Sequence, residues 1–177
     1  MSLNLLNLDG RTRQYMQKEL EYDLSRQQLH ISPYLSGQGI HDFANILREA
    51  ISEGNEETLA EALSDKRRIA RTAHRRQPKG GFHIVSVPAN AAEMIADDAF
   101  NRYYIRALCC RAIDEDIEHL IVYRARPVQT PRSRSEDLVE TAVDPTQLLK
   151  DLRLHTGEDT DLGIPGGPNS GLSVHFP

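Results

Sequence analysis

The chain has 177 residues, of which 39% are apolar and 27% charged, with a formal net charge of −5. Such a composition suits one domain with a hydrophobic core of its own and excludes a wholly disordered chain. It also excludes a membrane-spanning helix, because the longest apolar run, Leu120-Ile121-Val122-Tyr123, falls far short of the roughly 20 residues a span requires.

The leucines at 3, 5, 6 and 8 have no basic stretch before them and no small-residue cleavage site after them, so the opening does not read as a signal peptide. Asp9 then caps a first helix, in which Tyr15, Met16, Leu20 and Leu24 make an apolar stripe that frays near Ser25. Pro33, Gly37 and Gly39 make 30–39 a loop. The second helix has Ile40, Phe43, Ala44, Leu47, Ala50 and Ile51 on one face and stops at Gly54. Asn55 caps a short third helix, with Glu56 and Glu57 placed where the helix dipole favours negative charge.

Charge changes abruptly after residue 65. Residues 1–65 carry a net −6, 66–134 a net +7, and 135–177 a net −6. The run 66–79 holds seven cations (Lys66, Arg67, Arg68, Arg71, Arg75, Arg76 and Lys79), no acid, and only Ile69 as a strongly apolar residue. Its composition predicts a solvated helix extension or an exposed connector. After Gly80-Gly81, residues 82–87 read as a strand ended by Pro88. Asn90 and Glu93 suggest a capping box opening a long, largely buried helix over about 91–113. Leu120 to Tyr123 form a second strand, and strand–helix–strand order suggests a βαβ-like unit, parallel if the strands share a sheet. The stretch 127–140 is polar and turn-rich, a short helix covers 145–154, 163–171 is a turn cluster, and 172–176 alternates as an edge-type strand.

The expectation is one α+β domain over 1–177. It comprises an N-terminal helical layer (1–65), a basic connector (66–81), a βαβ-like core with a small sheet (82–126), and a turn-rich C-terminal part with a short helix and terminal strand (127–177).

Chemical motifs are absent from the sequence. The Gly-rich turn at 163–171 contains two prolines and no lysine and leads into a strand, so it is a structural turn and not a phosphate loop. None of the seven histidines forms a zinc-like pair with another histidine or with a cysteine, and no metal or cofactor is expected. Cys109 and Cys110 are adjacent, have no third thiol to pair with, and sit late in a helix, where a catalytic thiol is disfavoured. An enzyme built around Asn101, Arg106 and a cysteine is a third-ranked alternative. Arg102 and Arg106 share a helix face and, with Arg124, Arg126, Arg132 and Arg134, extend the basic run toward one surface for a partner or for nucleic acid. The opposing reading pairs these arginines with the acidic ends of this chain or of neighbouring copies.

Three stretches, 8–16, 100–109 and 164–172 (LDGRTRQYM, FNRYYIRALC and IPGGPNSGL), resemble parts of uncharacterised bacteriophage and prophage-type proteins. The resemblance runs nearly end to end and implies a virion component, assembled in the host cytoplasm, of the head–tail connecting or adaptor kind. Such proteins work through docking surfaces and not through catalysis. The expected partners are further copies of the chain and other virion proteins, with no membrane and with nucleic acid, bound through 66–79, as the alternative. Leu172, Val174 and Phe176 are the expected docking strand, suited to completing a partner's sheet edge.

Overall fold

Helix α1 (Gly10–Ser25) starts where the Asp9 carboxylate accepts a hydrogen bond from Thr12 N at 2.7 Å, as its sequence signature predicts. Helix α2 (Gly37–Glu53) begins inside the predicted loop, because Ser36 Oγ accepts from Gly39 N and caps it. Gly39 has to be glycine, since a Cβ there would lie 2.1 Å from the Arg68 carbonyl oxygen. Asn55 and Thr58 exchange side-chain and backbone hydrogen bonds in a capping box that opens α3 (Glu56–Leu63).

The structure, a computed structural model, describes residues 2–76, 80–128, 133–157, 159–166 and 170–177. After α3 come β1 (Thr72–Arg76), β2 (Phe82–Ser86), α4 (Ala91–Asp114), β3 (Leu120–Arg124), α5 (Ser133–Asp137), β4 (Ala142–Val143), α6 (Pro145–Leu154) and β5 (Leu172–His175). The fold is α+β. No described helix is long and apolar enough to cross a membrane.

Helix α4 is the axis of the molecule. It packs against α1 and α3, and on its other sides against α6 and β5, while α2 closes over α1 and α3. Ile95, Phe100, Tyr104, Ile105, Leu108 and Ala112 are buried, and one apolar cluster runs from Met16 in α1 to Val174 in β5. Each fully buried large side chain stabilises the fold by about 1.5–3 kcal/mol. The expected Asn90 cap is not made: the Asn90 side chain forms no capping hydrogen bond to α4.

Two elements depart from the sequence reading. The basic stretch contributes a strand, not a helix extension or connector: Thr72–Arg76 pairs antiparallel with Phe82–Ser86, with Thr72 opposite Ser86 and His74 opposite Ile84. In addition, β2 and β3 lie in different sheets, so no βαβ unit forms. The short link through Gly80 and Gly81, both with φ near +90°, gives β2 its nearest possible partner in β1 at little loop-closure cost. Strand β3 pairs antiparallel with β4 on one side and β5 on the other, in the order β4-β3-β5.

Strand β5 is part of this chain's own core. Val174 faces Val122 across the ladder, and Leu172 and Val174 are both fully buried. Gly171, at φ +67°, lets the chain enter β5 where a Cβ would meet the Arg126 carbonyl oxygen at 2.4 Å. The side chains of Leu172 and Val174 are therefore not free to complete a partner's sheet. Phe176, just beyond the strand, is half-buried and lies against the Arg111 guanidinium.

Candidate docking surface and the buried charge network

The β1–β2 hairpin packs almost wholly on itself. Cross-strand partners share a face, so Thr72, His74, Phe82, Ile84 and Ser86 lie on one side, and Ala73 and Val85 on the other. The second side turns toward the body: Ala73 is buried and Val85 half-buried. The first side faces solvent, with Phe82 69% and Ile84 67% exposed, among the most exposed large apolar side chains of the described residues. A two-stranded hairpin that holds an aromatic and a branched aliphatic residue in water on one face leaves that face without a partner among the described residues.

The basic residues singled out in the sequence do not form one free surface. Arg67 pairs with Asp65 and Arg68 with Asp42, and Arg68 also donates to the Ala62 carbonyl. Hydrogen bonds from His41 and Arg68 hold the Asp42 carboxyl down at about 2, and those from Arg67 hold Asp65 lower still. Arg124 donates to Ser170 O at 2.7 Å, Arg126 pairs with Asp97, and Arg134 donates to Asp161 O at 2.8 Å. Lys66 and Arg71 are exposed and have no ion-pair partner among the described residues. Arg75 and Arg76 are in β1, while Lys79 and Arg132 lie outside the described residues.

Arg102 and Arg106 are buried instead of surface-facing. Arg106 donates from Nε to Glu19 at 2.8 Å and through its two terminal nitrogens to Asp23 at 2.6 and 2.9 Å, with all three side chains at most 5% exposed. Tyr103 Oη donates to Asp23 at 2.7 Å, and Arg153 of α6 reaches the other side of Glu19 at 2.5 Å. Burial pushes the Glu19 carboxyl upward, but hydrogen bonds from Arg153 and the charge of Arg106 outweigh it and hold the group ionised below the usual range. Burial works against the Arg106 cation too, and the bonds from Asp23 more than offset it. The network thus ties α1, α4 and α6 together with its charges matched. No described buried side-chain nitrogen or oxygen lacks a hydrogen bond. The sequence signal was available: Glu19 and Asp23 are four apart on the α1 face that carries Met16 and Leu20.

An apolar cavity of about 250 Å³ opens beside this network, lined by Leu29, Tyr34, Phe43, Met94, Ile95 and Leu152, with Arg102, Tyr103 and Arg106 on its polar side. It reaches neither Asn101 nor a cysteine. Asn101 is engaged with β5, donating to Leu172 O at 2.7 Å and accepting from Ser173 Oγ. Burial raises both thiols, Cys110 to about 12 and Cys109 well above its ordinary value, so both are protonated and poorly nucleophilic near neutrality.

Asp151, His155 and Asp161 bring ligand-type atoms within 4.8 Å of one another. Asp151 is already engaged there: it accepts from Asp161 N and Leu162 N at 3.0 and 2.8 Å and lies 2.8 Å from His155 Nδ1. It clamps the loop after α6, and its hydrogen bond holds His155 above the ordinary imidazole value. Comparison with protein-family models, curated proteins and solved structures finds no match for this chain.

Proposed function

We propose that this chain is a structural assembly protein acting through docking surfaces, with the β1–β2 hairpin as its arm. The head–tail connecting or adaptor part of a phage virion is the setting that its sequence resemblance favours. The observation that carries this reading is the hairpin face on which Phe82 and Ile84 stand in solvent. The interior charges are matched and the thiols protonated, which leaves the hairpin face as the feature that asks for a partner, and no catalytic role is assigned to any residue.

Nucleic acid is the second reading, favoured by Lys66 and Arg71 at the foot of the hairpin, which have no ion-pair partner among the described residues. Against it, Arg67, Arg68, Arg124, Arg126 and Arg134 are engaged within the chain. Phosphate contacts would make binding fall steeply with salt. Density-gradient fractionation of the native source, read by mass spectrometry, tests the first reading. The chain is expected in large particles at a fixed ratio to capsid or tail proteins, and recovery only among small species would overturn it.

A further inference from the structure

Resting on the hairpin as docking arm, we infer that the face carrying Phe82 and Ile84 is covered by a second copy of this chain, across the acidic edge made by α3 and the start of α4. The charge pattern identifies the partner. From Glu49 to Asp65 the sequence holds six acids and no Lys or Arg, and from Lys66 to Ala92 it holds seven Lys and Arg and no acid. Within the chain these blocks pair only in part, through Arg67 with Asp65 and Arg68 with Asp42, and the charges left over suit each other between copies.

The structure shows both halves still open. Between α3 and α4 runs a groove of about 280 Å³ lined by Glu57, Glu61, Glu93 and Asp97, with Ala60 and Ser64 between them. Asp97 is neutralised by Arg126, and the buried Glu56 carboxylate accepts from Ser2 Oγ and Leu3 N, so both are already engaged. Glu57, Glu61 and Glu93 are exposed and have no ion-pair partner among the described residues. No described hairpin residue lines the groove of its own chain, although the hairpin foot with Lys66 and Arg71 is beside it. Opposing cations from a second copy relieve the repulsion among the three glutamates, while Phe82 and Ile84 leave water against the small side chains between them. Donor and acceptor surfaces differ, so the contact is heterologous and repeats head to tail, closing into a ring where the rotation allows.

Sedimentation velocity of the full chain tests this, at about 50 mM and about 500 mM salt, where the screening length shrinks several-fold. Wild type is expected to associate with concentration, more weakly at high salt. Lys66→Glu with Arg71→Glu, or Glu57→Lys with Glu61→Lys, should each weaken association about tenfold or more. A mixture of the two variants should associate again, because each supplies the surface the other needs. All substituted positions are exposed, and matching circular dichroism melting curves check that the variants fold. Wild type that stays monomeric at low salt, or association indifferent to both reversals, overturns the self-docking. If monomeric wild type still enters large particles of its source and a Phe82→Ser/Ile84→Ser variant does not, the arm docks on a different protein. If that variant enters the particles as well as wild type, the reading of the hairpin as an arm fails too.

Discussion

Replacing Arg106 with Met asks what the buried network contributes. Methionine keeps much of the side chain's length and apolar stem, so the loss is chiefly electrostatic. Glu19 would keep Arg153, which bonds it at 3.1 and 2.5 Å, and the Cys110 thiol. Asp23, at 2% exposure, would keep only the Tyr103 hydroxyl at 2.7 Å among the described side chains. Removing one partner of a buried pair typically costs about 3–5 kcal/mol, because the remaining charge is left desolvated. That is a large fraction of the roughly 5–15 kcal/mol that stabilises an ordinary domain. With a urea slope of about 2 kcal/mol per molar, the unfolding midpoint should fall by about 1.5–2.5 M. Adding Asp23→Asn removes the stranded charge, so the double variant should be more stable than the two single losses together imply. An Arg106→Met variant within about 1 kcal/mol of wild type, or strict additivity in the double variant, would refute the network's role.

Three further outcomes follow from local geometry. Leu172→Ala, at a fully buried position of β5, should cost about 2–5 kcal/mol by urea unfolding, and a neutral result would return the terminal strand to the surface. A thiol reagent at pH 8 should leave the buried Cys109 unmodified in the folded chain, label the half-buried Cys110 only slowly, and label both in denaturant; rapid labelling of Cys109 in the folded chain would contradict its burial and raised pKa. The His155 imidazole is held above 6.5 by Asp151, so its stabilising effect is present below pH 6.5 and is lost as pH rises through the folded-state value. An NMR titration should place its midpoint above 6.5 and show it falling on Asp151→Asn, whereas an unshifted midpoint would remove the interaction.

The sequence reading succeeded where one local signal decides the structure. Asp9 and Asn55 announce their helices through side-chain caps, and Gly54 ends the second. The apolar spacing of 91–113 marks α4 because nearly every side of that helix finds a partner. It failed where pairing decides. Residues 72–76 have no apolar alternation and form a strand only because 82–86 folds back on them. Strand–helix–strand order suggests β2 beside β3 if the two share a sheet, but a five-residue link to β1 closes at far less entropic cost than a crossover, and β3 has both edges taken. For the candidate site, composition marks the basic run but not its pairing: Arg67 and Arg68 are tied to Asp65 and Asp42, and Arg126, beyond the run, to Asp97. Arg102 and Arg106 read as part of a basic surface because helix spacing shows which face a residue occupies, not whether buried carboxylates from another helix meet it there, as Glu19 and Asp23 meet Arg106. Alternation alone makes the terminal strand look edge-type, and its burial depends on β3 and α4, elements distant in sequence.

On the proposed reading the exposed hairpin face, with Phe82 and Ile84, is what this chain brings to its docking partner. This claim is tested most directly by expressing wild-type and Phe82→Ser/Ile84→Ser chains in the native source and measuring the fraction of each that cosediments with large particles. Both changes are at solvent-exposed positions, so stability should stay within about 0.5 kcal/mol of wild type. Wild type should be recovered with the particles and the stable double variant among small species. Equal recovery of the two with the particles would contradict the claim, and so would the absence of both.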